Sequence, residues 1–403
     1  MVIFAMTIAS FKPGEGWMIL IQHRKAIRLQ AFFCIVIAVA CVLCVYEVYH
    51  FLQERGVASG FGFLERATGW DVGFSLIPYT INDPYWRVIL VGLLNTLFLG
   101  ISSIMLATLI GIVVGLARIS DNLVMSFLSV CYIEVMRNVP LILQIFFWYA
   151  LFIHLPPPKQ AITVLGGIII SARGIFLPGL NVSPTAAMAA GILLASGVVC
   201  ALIAMLLPRR SQSVRMVQRE LVRISLLGSF AMAVATLWLG RLHGLPFLQV
   251  AQLKGLNFQG GVRLSPEFGT LLTGISLYGG AFMGEIIRAG LMAVNKGQIE
   301  AAKALGLAPW KVFTRVRLPL AFRMVLPTLT NQYVWLLKAT SLGIVVGFAD
   351  LYLVVSTSII QSGQTIELLG IMMLGFILIN NLLAVIMNFV NRRIALRGTQ
   401  LRM

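Results

Sequence analysis

Few residues of this 403-residue chain have the types and spacings that covalent chemistry needs. Its four histidines, His23, His50, His154 and His243, are scattered and form no H-E-x-x-H pair. There is no G-x-x-x-x-G-K-[ST] phosphate loop and no G-x-S-x-G nucleophile turn. The five cysteines (34, 41, 44, 131 and 200) lie in apolar stretches without a repeating spacing, which argues against a disulfide framework or a zinc site. Fourteen acidic residues are spread along the chain without a cluster. The residues that stand out are polar groups inside apolar runs. Residues 326–343 hold Asn331, Gln332, Lys338, Thr340 and Ser341, and Glu285 closes the preceding apolar run. A lysine at membrane depth costs roughly 2.5–3.5 kcal/mol, so Lys338 must face a polar cavity, pair with a group such as Glu285, or snorkel to an edge. The chemistry available is recognition rather than bond making.

A second cluster of charge lies between two apolar spans. Residues 284–320 carry Arg288, Lys296, Lys303, Lys311, Arg315 and Arg317 against Glu285 and Glu300. Gln298–Leu305 is rich in good helix formers, Gly306 suits a left-handed helix stop, and Pro309 suits the start of a second helix. In that second segment Trp310, Val312, Phe313 and Val316 fall mostly on one face, and it is expected to end at Leu318-Pro319. The stretch reads as a helix–Gly–helix knuckle.

Glu300-Ala301-Ala302, three residues, Gly306, nine residues, then Val316-Arg317-Leu318-Pro319 together resemble the EAA loop of ABC importer permeases, with Val316 where the family usually has Ile. Arg137, Pro140 and Gln144, followed by Phe146-Phe147, resemble a signature of permeases for polar amino acids. Lys338-Ala339-Thr340-Ser341-Leu342 resembles their lysine–aspartate–threonine–serine–leucine element, with the acidic residue lost at Ala339. The resemblance implies that Glu300, Ala301, Ala302, Gly306, Leu318 and Pro319 couple the chain to a separate cytoplasmic ATPase. It also implies a substrate path past Gln332, Lys338, Thr340, Ser341, Asn331 and Glu285. A zwitterionic amino acid could give its carboxylate to Lys338 and its ammonium to amide or hydroxyl oxygens.

The elements that position these groups are apolar. The chain is 59% hydrophobic and 11% charged, against roughly 25% charged in a soluble domain. We expect an all-α integral membrane fold of about eight transmembrane helices. These are Ala31–Tyr49, Ile89–Leu116, residues 123–155 with a break near Pro140, Ala186–Leu207, Ile224–Gly240, Glu267–Ala293, Leu326–Phe348 and Leu368–Phe389. Gly111 and Gly115, Gly280 and Gly284, and Gly343 and Gly347 offer close-packing faces. Glu134 and Arg137, three apart, could pair. Residues 156–185, 242–265 and 350–366 read as outer loops, and Pro208–Arg223 as a basic turn.

Net charge is +17, but the basic residues are distributed as in a polytopic protein, which argues against nucleic acid. Segments assigned to the cytoplasm hold 21 Lys and Arg, outer segments 7. That bias places both termini and the 284–320 stretch in the cytoplasm. Three regions follow: 1–87 with the lead, first anchor and periplasmic loop; 88–393 with a five-helix permease core and an insertion at 156–265; and a basic tail at 394–403. The architecture resembles the general, broad-specificity L-amino-acid permeases. The chain itself would bind no cofactor, while ATP and Mg would serve a partner ATPase dimer. A related second permease (a heterodimer), a periplasmic amino-acid-binding protein and the bacterial inner membrane complete the implied setting. A secondary transporter would want inverted repeats with paired broken helices, and a membrane enzyme would want clustered His, Asp or Glu. Neither pattern occurs.

Overall fold

The computed structural model describes residues 29–40, 42–43, 46–47, 50, 60–164, 166–206, 212–242, 246–255 and 257–394. Among them five helices are long and apolar enough to cross a membrane, and two bent helix pairs bring the number of spans to as many as seven. The straight spans are α1 (Tyr85–Arg118), α4 (Pro184–Leu206), α5 (Gln212–Leu239), α6 (Pro266–Met292) and α11 (Thr365–Ile394). One bent pair is α2 (Leu123–Asn138) with α3 (Leu141–Ile153), turned by 104°. Between α6 and α11 the chain runs through α7 (Lys296–Ala304), α8 (Pro309–Val312), α9 (Leu318–Ala339) and α10 (Leu351–Ser362). The stretch from Pro309 to Val346 and α10 make the second bent pair, turned by 48°. Of the expected first anchor, Leu29–Ala40 is an apolar helix, and much of the remainder lies outside the described residues.

Two expectations about the spans change. Residues 350–366 hold α10 rather than a loop. Asp350 caps its start, accepting from Leu353 N at 2.9 Å, and Gly363 ends it at φ 74°. Leu351, Val354, Val355 and Ser358, at helical spacing, are completely buried. At twelve residues α10 is too short to cross a bilayer alone, so its apolar content does not mark it as a span. Likewise the basic segment 212–223 belongs to α5, with Arg223 paired to Glu220 at 3.0 Å.

The expected loops of the insertion form a small β cap. Strands β1 (Ile162–Val164), β2 (Ile168–Ser171), β3 (Gly174–Leu177) and β8 (Val262–Leu264) make an antiparallel sheet in the order β1-β2-β3-β8. Its β-branched runs favour strands, and the Ala172-Arg173 turn closes β2 onto β3 with Gly174 at φ 122°. Strands β4 (Gly179–Leu180) and β5 (Leu248–Gln249) pair at the base of the α4–α5 hairpin, and β6 (Gln252–Lys254) pairs with β7 (Asn257–Gln259). Phe176 packs on Phe258 with centroids 4.7 Å apart, joining the sheet to the β6–β7 hairpin.

The membrane core is built on the parallel pair α1 and α6. A Cβ on Gly111 would stand 2.6 Å from Met283 Cβ, one on Gly115 would stand 2.8 Å from Gly284 O, and one on Gly280 would stand 2.6 Å from Ile110. The Gly111/Gly115 and Gly280/Gly284 motifs therefore serve one crossing, where backbones approach closely, whereas Gly347 is a left-handed helix stop with nothing within 4 Å of its Cβ position. Gly111→Val should destabilise the chain by about 1–3 kcal/mol or more, because the neighbours are backbone and Cβ atoms that cannot rotate away. A lowered melting temperature of the detergent-purified chain checks this. An unchanged one would show that the two helices can separate freely.

Candidate functional site

The knuckle is built as a helix stop followed by a new start. Asn295 Oδ1 accepts from Gly297 N at 2.8 Å and begins α7. At its end Gly306 N donates to Lys303 O (2.9 Å) and Leu307 N to Ala302 O (3.3 Å), with Gly306 at φ 73°. These two bonds make a Schellman motif, which needs the left-handed residue. Pro309 then starts α8. Ala302 and Val312 are buried, and Ile299 and Phe313 pack onto a cluster of Leu291, Val294 and Ala321. Arg317 Nε donates to Leu291 O at 3.0 Å, tying the knuckle to the end of α6. Glu300 and Ala301 are exposed, and Glu300 has no ion pair among the described residues.

The knuckle differs from its sequence reading in one place. The second helix does not end at Leu318-Pro319. A π-helical turn over Phe313–Arg317 carries it directly into α9, with Pro319 in the first turn. The wider turn shifts the hydrogen-bond ladder where proline has no N–H to give. Trp310 stacks on Phe313, as its spacing implies, with ring centroids 6.1 Å apart, but it is not buried as Val312 is. It is 72% exposed, and Leu305 is 82% exposed. The knuckle thus exposes two large apolar side chains, Leu305 and Trp310, together with the acidic Glu300.

The second site lies halfway along the bundle. Leu337 packs on Gly100 and Leu336 on Gly279, and Gly279 is thirteen residues from either end of α6, about 20 Å at 1.5 Å per residue. Lys338 is exposed at this depth. It lines a groove of about 400 Å³ with Val334 from α9 and with Phe376, Ile377, Asn380, Asn381 and Ala384 from α11. Asn331, Val334, Lys338 and Ser341 follow helical spacing along one face. Ser341 Oγ donates to Lys338 O at 2.8 Å.

Not every residue expected on the path is brought there. Thr340 is fully buried, and its hydroxyl donates to Leu337 O at 2.8 Å. Gln332 is half-buried one position off the groove face. Glu285 accepts from Arg288 Nε at 2.8 Å and pairs with it along α6, so it is not the partner of Lys338. Snorkelling from mid-depth would have to cover about half of a roughly 30 Å apolar layer, beyond the reach of a lysine side chain. Asn380 and Asn381 escaped the sequence reading, although two adjacent amides inside an apolar span were a visible signal.

The Arg137–Pro140–Gln144 signature has a structural part. Gln144 Nε2 donates to Met136 O and Val139 O, both at 2.9 Å, and so caps α2 across the 104° break that Pro140 opens. Arg137 does not pair with Glu134. Its guanidinium lies over the Phe282 ring at 5.0 Å, while Asn138 Nδ2 donates to Glu134 at 3.1 Å. Phe282 meets Tyr278 (4.9 Å), which stacks on Trp335 (5.2 Å), linking α2 through α6 to α9.

Residues 224–397 match the family described as binding-protein-dependent transport system inner membrane component. Over 352 residues the chain is 38% identical to the amino-acid ABC transporter permease protein YhdX of Escherichia coli, covering 86% of this chain and 88% of that protein. It is 34% identical to the general L-amino acid transport system permease protein AapQ of Rhizobium johnstonii, over 95% of this chain and 96% of the relative. A glutamate/glutamine/aspartate/asparagine transport system permease protein, BztB of Rhodobacter capsulatus, is 29% identical over 97% of this chain and all of its own length. With such likeness running almost end to end, this multi-pass chain belongs to the amino-acid ABC transporter permeases.

Proposed function

We propose that this chain is a permease subunit of an ATP-driven importer that moves a broad range of L-amino acids into the cytoplasm. The observation that carries the reading is the extent of the likeness to AapQ, which takes in the 156–265 insertion as well as the core. The chain works as a transport component, and ATP with Mg is hydrolysed by a partner ATPase dimer. Glu300, Ala301, Ala302, Gly306, Leu318 and Pro319 belong to the stretch that meets that ATPase, supported by the exposure of Glu300, Leu305 and Trp310 on a firmly seated knuckle. Lys338, Asn331 and Ser341 face the substrate path, supported by an exposed lysine at mid-depth. The groove face opens between this subunit and a related second permease.

The basic bias puts the knuckle and both termini in the cytoplasm of the bacterial inner membrane, and the β cap in the periplasm beside an amino-acid-binding protein. Co-expression with its genomic neighbours in proteoliposomes should give ATP-dependent uptake of several labelled L-amino acids. Uptake of none of them would end the importer reading. Cysteines introduced at 246–255 should label from outside intact cells, and those at 212–222 only after lysis. Labelling of 212–222 in sealed cells would overturn the orientation.

A further inference from the structure

We propose that the β cap is the docking face for the amino-acid-binding protein, with Lys159, Arg173, Lys254 and Arg263 holding an acidic patch on that partner. This rests on the importer reading and adds to it where the binding protein seats and by what charge. The family matched by residues 224–397 is described as binding-protein-dependent. Residues 156–182 and 242–265 contain these four Lys and Arg residues and no Asp or Glu. All four side chains are exposed. The other outer stretch, 60–87, carries Arg66 and Arg87 against Glu65, Asp71 and Asp83, and its Arg87 is paired with Asp83 at 3.1 Å. Basic residues are disfavoured in loops that must cross the membrane, so four of them without one compensating acid need a reason outside the chain.

The fold gathers these charges. Arg263 Nε donates to Arg173 O at 3.0 Å, which brings two arginines to one end of the sheet. Arg263 lies opposite Phe176 in the register of β3 and β8, Phe176 packs on Phe258, and Lys254 pairs with Asn257 beside that ring. Lys159 precedes the edge strand β1, whose Ile162 and Val164 are exposed, as are Leu253 and Val262. Exposed apolar and charged groups mixed in this way suit a protein partner. One exposed ion pair contributes about 0–1 kcal/mol, too little to hold a free carboxylate, whereas an acidic protein surface meets several cations at once and is steered onto them. Arg241, over the Trp238 ring at 5.5 Å at the end of α5, is placed for lipid headgroups and is not counted in this face. The seat is also tied to the core. Ala172 N donates to Pro156 O at 2.9 Å just past the end of α3, and β8 leads through the Ser265 cap directly into α6. A partner on the cap therefore bears on the helix that crosses α1.

The test uses the assembled transporter in phosphatidylcholine nanodiscs and the purified amino-acid-binding protein encoded beside it, with association rates read by biolayer interferometry at low and high salt. Wild-type association should slow about tenfold or more as salt rises. Lys159→Glu with Lys254→Glu should slow association at least about tenfold at low salt and flatten its salt dependence. Arg173→Gln with Arg263→Gln should do the same, while Arg173→Lys with Arg263→Lys, which keeps both charges, should associate as the wild type does. All variants should co-purify with the ATPase at wild-type yield, because these side chains are exposed. Wild-type association in both the glutamate and the glutamine pairs would overturn the cap as the seat while leaving amino-acid uptake intact. A lysine pair as slow as the glutamine pair would show that the arginines act through the fold rather than through charge, and would overturn the electrostatic seat. Unchanged association together with an altered melting temperature in discs containing phosphatidylglycerol would make the face a lipid surface, and the proposal would fall. Absence of any amino-acid uptake by the wild-type proteoliposomes would instead strike the importer reading itself.

Discussion

Gly306→Val is expected to cut ATP-driven uptake by about five- to thirty-fold while the chain still inserts into the membrane. The argument is conformational rather than steric, since a Cβ at Gly306 would meet nothing within 4 Å. Its φ of 73° lies where an L-residue pays about 1–2 kcal/mol, and a β-branched one fares worse. That energy changes the population of the correct turn about five- to thirty-fold. With the turn lost, both Schellman bonds open and α8 leaves α7 at a different angle. The spans keep their own helix–helix packing, and the knuckle meets them near their ends, as at Leu291 and Ala321, so expression should persist and the melting temperature should fall only slightly. Gly306→Asn, which tolerates the left-handed region, should retain much of the activity. Wild-type uptake by Gly306→Val would remove the knuckle from the coupling path.

Leu305→Asp with Trp310→Asp should separate the chain from its ATPase. Burying an apolar side chain of this size contributes about 1.5–3 kcal/mol, and tryptophan anchors commonly exceed 2 kcal/mol at interfaces. Loss of both corresponds to weakening on the order of 100-fold or more. Because both side chains are exposed in the isolated subunit, its own stability should not fall. Co-elution on size-exclusion chromatography reads the result directly. A complex of undiminished stability would mean that the ATPase grips another surface. Glu300→Lys alone should be milder, since an exposed ion pair contributes about 0–1 kcal/mol.

How much of this was legible beforehand differs by element. The long spans were, because an uninterrupted apolar run of span length has few other fates. So was the Gly306 stop, because a single residue type suits that turn. The β cap was not, since Ile168-Ile-Ile and Gly174-Ile-Phe-Leu are too short to separate from loop by periodicity. Helix α10 was not, because twelve residues fall short of a span. The groove was half legible. Lys338 drew notice as a charge among apolar residues, but its neighbours Asn380 and Asn381 come from a span some forty residues later, and only the packing of α11 on α9 brings them together. The exposure of Trp310 was not legible, because helical spacing sorts residues onto faces without saying which part of a face is covered.

The π-turn at Phe313–Arg317 has a mechanical consequence. Helix α9 starts in that turn, carries Pro327 inside it, and ends one residue after Lys338. A π-turn and an internal proline are places where a helix yields. The chain from knuckle to groove is therefore two stiff struts with a joint below each. The lower strut is about 15 Å long and the upper about 18 Å, at 1.5 Å per residue. The upper strut is wedged, with Leu336 against Gly279 and Leu337 against Gly100. A shove of a few ångströms at the knuckle would be taken up first by the π joint, then by Pro327. It would arrive at Lys338 as a tilt about that wedge, changing the direction of the ammonium without dragging the whole span.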